Sequence, residues 1–169
     1  MEKCPSRKPT RLLCYDYSQP GAYFVTVCVK EKRCILSAIV GGVDPDAPSV
    51  QLTAYGTVIM QNLNRMNAIY RDIHIDHFVI MPNHVHLLIT ISQDAQNGAS
   101  GSTPPTNTLS RFIAAMKKFT EKECGAALWQ RGFHDHVIRD DTDYRKHWQY
   151  IDENPKKWLM GKDAYYTGV

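Results

Sequence analysis

The sequence lacks the features that mark a membrane or secreted protein. No apolar run approaches the length of a transmembrane helix, and residues 1–8 lack the apolar segment of a signal peptide. The five cysteines are odd in number, and no two of them lie within four residues of each other. This spacing fits neither a disulfide framework nor a Cys-x-x-Cys zinc site, so we expect a reducing, cytoplasmic setting and no membrane partner.

The chain also has little net charge, only +3 from 20 basic and 17 acidic residues. This value alone does not indicate a nucleic-acid partner. The basic residues are nevertheless grouped at the start of the chain and in one later segment: Lys3, Arg7, Lys8 and Arg11, then Arg111, Lys117, Lys118 and Lys122. Such groups suit contact with phosphates, although a solvated surface is the commoner explanation of any single group.

The length of 169 residues, 43% of them hydrophobic, is sufficient for one domain with a substantial core. We expect residues 1–169 to form that single domain. Residues 1–20 are predicted to be a basic N-terminal arm. Residues 92–107 are rich in Ser, Gly, Thr, Pro and Asn, which predicts a flexible loop and not an interdomain linker.

Hydrophobic periodicity divides the chain into strands and helices. Strands are predicted at 22–29, 73–80, 84–91 and 133–139, and helices at 53–70, 108–123 and from 140–142 to Asn154–Pro155. The last helix should end there because the residue before a proline is disfavoured in the α region. Residues 30–50 are predicted to be a loop with at most a short element at 34–40. This order predicts an α+β, ferredoxin-like or RRM-like fold, in which helices pack on one face of an antiparallel sheet.

Two histidines, His84 and His86, begin the strand at 84–91. Since successive side chains of a strand point to opposite faces, both imidazoles project from one face and Val85 from the other. Two imidazoles on rigid backbone can bind one divalent ion from the same side. The alternative is that each histidine satisfies a local hydrogen bond, and the pair alone does not decide between them.

The last predicted helix carries a second group of polar residues. Its core face is predicted from the spacing i, i+4, i+7 of Tyr144, Trp148 and Ile151. Tyr150 and Asn154, four residues apart, lie on a neighbouring face with His147. Tyr150 can be an ordinary rim residue and Asn154 an ordinary helix cap. A functional interpretation instead requires a phenol nucleophile close to a metal, with an amide oxygen among the metal ligands.

Three blocks of sequence together resemble one known family. They are Val-Ile-Met-Pro-Asn-His-Val-His-Leu-Leu at 79–88, Leu-Trp-Gln-Arg-Gly-Phe-His-Asp-His-Val-Ile-Arg at 128–139 and Tyr-Ile-Asp-Glu-Asn-Pro at 150–155. In this order they resemble the REP-associated tyrosine transposases, which are single-tyrosine HUH endonucleases named for a His-hydrophobic-His pair. The resemblance extends over residues 23–158.

The resemblance implies a function and its residues. His84 and His86 would bind a divalent ion with Asn154, and Tyr150, on the C-terminal helix, would attack DNA to give a 5′-phosphotyrosine. The ion would be Mg²⁺ or Mn²⁺, although imidazoles also accept zinc. The implied partner is single-stranded or hairpin DNA in a bacterial cytoplasm, and a homodimer is left open. The implied activity is that of a transposase that cleaves and rejoins DNA at hairpin-forming repeats.

Several further residues are predicted to support such a site. His147, about one helical turn before Tyr150, is a candidate helper. His136 is a second candidate. It belongs to the pair His134-Asp135-His136, whose central carboxylate departs from the His-hydrophobic-His pattern, so a supporting role is favoured over metal binding. The candidate DNA contacts are Arg111, Lys118, Lys122, Arg131 and Arg139. Two other functions remain open at this point. One is a catalytically inactive hairpin-binding protein, and the other is a metal-dependent phosphodiesterase that uses water.

Overall fold

The structure, a computed structural model, describes residues 19–41, 48–92 and 108–161. In these ranges the chain forms six strands, a short 3-10 turn at Lys30–Lys32 and three α-helices. In chain order they are β1 (Gly21–Cys28), β2 (Ser37–Val40), β3 (Ser49–Leu52), α1 (Ala54–Ile69), β4 (Ile73–Ile80), β5 (His84–Ile91), α2 (Thr108–Cys124), β6 (His134–Val137) and α3 (Asp141–Leu159). The predicted arm at 1–20 and loop at 92–107 lie almost wholly outside the described residues.

Four strands form one antiparallel sheet in the order β4-β5-β1-β6. The β-branched and aromatic residues of β1 and β5 favour extended backbone, and their register places Val25 opposite Leu87. One face of the sheet packs against α1 and α2 and forms the apolar core, which includes Val25, Val27, Leu87, Ile89, Ile59, Leu63, Phe112 and Ile113. The predicted α+β fold is confirmed.

The opposite face of the sheet is covered by α3. Asp140 caps this helix, since its side-chain oxygen accepts a hydrogen bond from the Asp143 backbone N–H at 2.8 Å. The buried residues of α3 are Ile151, Asn154 and Pro155. Trp148, which the sequence predicted on the core face, is instead 38% exposed. That prediction was wrong because α3 meets the sheet through a polar contact surface as well as an apolar one.

A β-bulge in β4 creates that polar surface. The pairing of β4 with β5 shifts between Ile75 and His77, so that both Asp76 and His77 face α3. The His77 imidazole stacks on Trp148 with ring centroids 4.3 Å apart. Its Nε2 lies 2.7 Å from a carboxylate oxygen of Asp152. Because Ile75 faces the core, alternation alone would direct Asp76 but not His77 to the α3 face. The bulge therefore adds His77 to the side chains that hold α3 on the sheet.

Asp76 makes the second half of this contact. Its carboxylate accepts hydrogen bonds from the hydroxyls of Thr90 and Tyr144. Burial, followed by the charge of Asp76 and this hydrogen bond, raises the pKa of Tyr144 to about 12. Tyr144 therefore remains a neutral hydrogen-bond donor at neutral pH.

The structure departs from two expectations about element boundaries. The helix does not end at Asn154–Pro155 but continues through Pro155 to Leu159. A proline removes one backbone donor, and here the burial of Asn154 and Pro155 against the sheet outweighs the local preference. In residues 30–50, the short element expected at 34–40 is present as β2, but the sequence analysis missed its antiparallel partner β3.

In the described part of the chain, no helix is both long enough and apolar enough to cross a membrane.

Candidate functional site

His84 and His86 converge at the centre of the face that α3 covers. Alternation along β5 directs both side chains to this face, where their exposed fractions are 0% and 1%. The two Nε2 atoms are 3.1 Å apart and the ring planes are inclined by 67°. Two nitrogens that share an ion at about 2.1 Å each lie roughly 3.0–3.4 Å apart. The observed separation therefore matches two neighbouring ligands of one ion.

The other ring nitrogen of each histidine is held by a neighbour. His84 Nδ1 lies 2.7 Å from Asn83 Oδ1, and His86 Nδ1 lies 2.8 Å from Thr26 Oγ1 across the β1–β5 ladder. Since an amide oxygen only accepts hydrogen bonds, His84 Nδ1 carries the proton and its Nε2 presents a lone pair. Such partners fix ring orientation and tautomer at metal sites.

Both imidazoles are neutral at pH 7. Burial lowers the pKa of His84 to about 3, with the neighbouring Asn154 amide opposing the change. Burial also lowers the pKa of His86 well below its usual value, assisted by the charges of His84 and His147. Neutral imidazoles are the form that binds metal ions, so the pair needs no deprotonation before it binds one.

Asn154 completes the donor set from α3. Its side chain is fully buried next to His84, close enough to oppose the fall in the pKa of that imidazole. Neither the amide oxygen nor the amide nitrogen, however, meets hydrogen-bond geometry with any of the described residues. An unsatisfied buried polar group costs about 1–3 kcal/mol. A cation bound between His84, His86 and Asn154 would offset that cost at the amide oxygen. The residues present therefore fit a divalent ion.

Tyr150 stands beside this donor set. Its ring meets the ring of His86 edge-on at 5.3 Å between centroids and that of Phe24 at 5.7 Å. The Lys157 ammonium lies 4.9 Å from the Tyr150 ring centroid, on its face. A phenol, two imidazoles and a cationic side chain thus share one small region.

Tyr150 lines two adjacent open clefts. One, of about 250 Å³, is lined by residues of β1, β5, β6 and α3 that include Phe24, Thr26, His86, His134, His136 and His147. The other, of about 280 Å³, has walls of Phe24 and α3 residues, including Lys146, Gln149, Glu153 and Lys157. The phenol can therefore be approached from either side of the helix.

A third group of polar side chains borders the first cleft. His136 Nε2 lies 2.8 Å from Asp143 Oδ2, and His147 Nδ1 lies 2.8 Å from the Asp143 backbone oxygen. Donor atoms of these three residues lie within 4.8 Å of one another, close enough for a shared metal ion. The helper candidates His136 and His147 are thus neighbours, joined by a carboxylate that the sequence analysis did not select.

The structure separates the predicted DNA contacts. Arg111, Lys118 and Lys122 are exposed on α2, which covers the sheet face opposite Tyr150. Arg131 lines a small cleft beside Cys28. Arg139 donates its backbone N–H to the Asp143 carboxylate at 3.2 Å. None of these five residues lines the two clefts at Tyr150.

The sequence analysis missed two lysines at the site. Lys146 and Lys157 line the second cleft, four residues before and seven residues after Tyr150. Helical spacing from Tyr150 would have found both, because these offsets fall on one face of a helix. Phe24 and Thr26 could be found only from the pairing of β1 with β5, which places Thr26 opposite His86.

The chain is similar in sequence to proteins from Haemophilus influenzae and Escherichia coli. No protein-family profile matches the chain. A Haemophilus influenzae protein without an assigned function is 30% identical over 169 residues, 90% of this chain and 89% of the relative. A Haemophilus influenzae protein named as a REP-associated tyrosine transposase is 27% identical, over 84% of this chain and 74% of its own. The Escherichia coli K12 REP-associated tyrosine transposase is 33% identical over 52% of this chain and 47% of its own.

The fold is also found in a solved structure. It is a REP-associated tyrosine transposase bound to a REP hairpin, with a TM-score of 0.58 and 23% sequence identity. The match covers 82% of this chain and 68% of the other. The shared fold is therefore the α+β architecture described above.

Proposed function

The chain belongs to the REP-associated tyrosine transposase family, and we propose that it cleaves and rejoins single-stranded DNA through a 5′-phosphotyrosine intermediate. Tyr150 is the nucleophile in this proposal, and His84, His86 and Asn154 hold a divalent ion. One observation carries the proposal. The two imidazole Nε2 atoms converge at 3.1 Å beside an unsatisfied buried amide, with a tyrosine ring against one of the imidazoles.

The chemistry assigns a task to each residue. A divalent ion bound there would polarise the scissile phosphate and offset charge in the transition state. The amide oxygen of Asn154 suits Mg²⁺ or Mn²⁺, which prefer oxygen ligands. The Tyr150 phenol oxygen bonds to phosphorus, and the 3′-oxygen leaves as a free hydroxyl. Because this exchange conserves one phosphodiester bond, the reverse attack by a 3′-hydroxyl rejoins strands without an external energy source.

The proposed substrate is a hairpin-forming repeat with a single-stranded flank. The solved relative is bound to a REP hairpin, and the open clefts on both sides of Tyr150 leave room for a strand. Lys146 and Lys157, which line one of these clefts, would contact phosphates of that strand.

Covalent trapping tests the nucleophile directly. A hairpin oligonucleotide labelled at its 3′ end is incubated with the protein and Mn²⁺ or Mg²⁺, and denaturing electrophoresis should show label on the protein. Trypsin cuts after Lys146 and Lys156, and the resulting peptide 147–156 contains Tyr150 as its only tyrosine. Mass spectrometry should therefore find the nucleotide on that peptide. Cleaved DNA without an adduct would indicate a phosphodiesterase that uses water, and bound, uncleaved DNA an inactive binding protein.

Charge reversal tests the path of the DNA. Changing Arg111, Lys118 and Lys122 to Glu should weaken binding to every sequence similarly and reduce the salt dependence by about one unit of slope per lost phosphate contact. Fluorescence anisotropy at several salt concentrations measures both quantities. The matched variant changes Lys146 and Lys157 to Glu on the opposite side of the sheet. If only the second variant weakens binding, Arg111, Lys118 and Lys122 belong to a solvated face of α2.

A further inference from the structure

Three side chains beside Tyr150 form a continuous hydrogen-bonded group. His136 Nε2 donates to Asp143 Oδ2 at 2.8 Å. His147 Nδ1 lies 2.8 Å from the Asp143 carbonyl oxygen and 3.2 Å from its carboxylate Oδ1. Asp143 therefore contacts both imidazoles, one through its carboxylate and the other through carbonyl and carboxylate together.

The orientation of the rings favours proton transfer over metal binding in this group. The rings of His136 and His147 are stacked, with centroids 4.7 Å apart and planes inclined by only 22°. Imidazole lone pairs lie in the ring plane, so the lone pairs of two nearly parallel rings do not converge on one point. The rings of His84 and His86, inclined by 67°, do converge. On this face, the His84–His86 pair is thus arranged to share one ion, whereas the His136–His147 pair is not.

The hydrogen bonds also fix which nitrogen of His147 is basic. A carbonyl oxygen only accepts hydrogen bonds, so Nδ1 of His147 carries the proton and Nε2 carries the lone pair. The ring packs against Phe24 at 4.8 Å and lines both clefts that Tyr150 lines, one helical turn before it. The His147 ring is therefore held by Asp143 on one side and open to the substrate clefts on the other.

We propose that His147 is the proton acceptor for Tyr150, with Asp143 and His136 as positioning residues, an inference that rests on the proposed cleavage reaction. In the forward step the phenol oxygen forms a bond to phosphorus and its proton passes to His147 Nε2. The bond from phosphorus to the 3′-oxygen breaks with its electron pair, and that oxygen takes a proton from solvent. In the reverse step a 3′-hydroxyl loses its proton to solvent as it attacks, and His147 returns its proton to the departing phenolate.

The reaction needs such an acceptor. A free phenol has a pKa of about 10, so only about one molecule in a thousand is ionised at neutral pH. A general base that removes the proton during attack typically contributes about 10²–10⁴-fold to the rate. The Asp143 carboxylate can stabilise the imidazolium that forms, as an aspartate does beside a catalytic histidine in hydrolases.

A cycle of substitutions tests the inference. The rate of hairpin cleavage is measured for His147→Gln, first with the natural Tyr150 and then with a fluorinated tyrosine at position 150, whose phenol is more acidic. With the natural tyrosine the loss should be about 10²–10⁴-fold. With the fluorinated tyrosine, the rate loss caused by His147→Gln should be at least about tenfold smaller, because an ionised nucleophile needs no base.

Asp143→Asn provides a second variant in case His147→Gln perturbs the fold. Asp143→Asn should lower the cleavage rate less than His147→Gln does, and this loss should also be smaller with the fluorinated tyrosine. Hairpin affinity should be unchanged in both variants. A loss of equal size with both tyrosines would overturn the inference and leave His147 a packing residue. Cleavage by Tyr150→Phe at the wild-type rate would be a different failure, since it would overturn Tyr150 as nucleophile.

Discussion

Tyr150→Phe is expected to abolish strand cleavage and the covalent adduct while hairpin affinity stays within about twofold. The substitution deletes one hydroxyl, which is the proposed nucleophile, and loss of a covalent nucleophile lowers rates by at least about a thousandfold. The ring contacts with His86 and Phe24, and the Lys157 ammonium at the ring face, do not depend on that hydroxyl. Cleavage of labelled hairpin and anisotropy with the uncleaved hairpin measure the two effects.

Tyr144→Phe is the matched control on the same helix. The raised pKa of Tyr144, about 12, disfavours its phenolate, and its hydroxyl is bonded to Asp76. We therefore expect this variant to keep its cleavage activity and to lose only about 1 kcal/mol of stability with the hydrogen bond. The reverse result, with Tyr144→Phe inactive and Tyr150→Phe active, would identify Tyr144 as the nucleophile.

His84→Ala and His86→Ala are each expected to eliminate cleavage that depends on a divalent ion. Each removes one of two converging Nε2 atoms from a buried site, and a single imidazole with one amide oxygen is too small a ligand set to hold a weakly bound Mn²⁺. His134→Ala should leave measurable activity, because His134 is exposed and lies across β1 from the pair. The three variants are compared by measuring their cleavage rates over a range of Mn²⁺ concentrations.

Calorimetric titration with Mn²⁺ separates loss of ion binding from loss of the nucleophile. Tyr150→Phe should bind Mn²⁺ like the wild type, since the phenol is not among the proposed ligands. His84→Ala and His86→Ala should show no saturable binding at the concentrations that saturate the wild type. Equal loss of bound ion in all three histidine variants would contradict the assignment of His84 and His86 as the ligand pair.

Sequence periodicity was sufficient to predict the fold and one part of the site. Alternating side chains along a strand placed His84 and His86 on one face, and the structure has them there. The distance between their Nε2 atoms could not be predicted, because rotamers depend on partners brought by strand pairing. Thr26 is such a partner, and it lies 60 residues away from His86 in sequence.

The errors came from tertiary contacts that overrule local preferences. Pro155 was predicted to stop α3, but burial of that helical turn against the sheet keeps it helical. The β4 bulge turns His77 toward α3, which strict alternation from Ile75 would not do. Both cases concern the placement of α3, the element that sequence patterns constrained least.

The way α3 is attached has a consequence for local opening of the molecule. The helices α1 and α2 each bury five residues, whereas α3 buries three over a longer span and is otherwise held by polar contacts such as His77 with Asp152. Separation of α3 exposes fewer buried residues of the helix itself than separation of α1 or α2 would, and its polar groups regain hydrogen bonds to water. Its free energy of local unfolding is therefore expected to be the lowest of the three helices, with the fastest amide hydrogen exchange. A DNA strand joined to Tyr150 would be attached to the most readily released layer of the molecule.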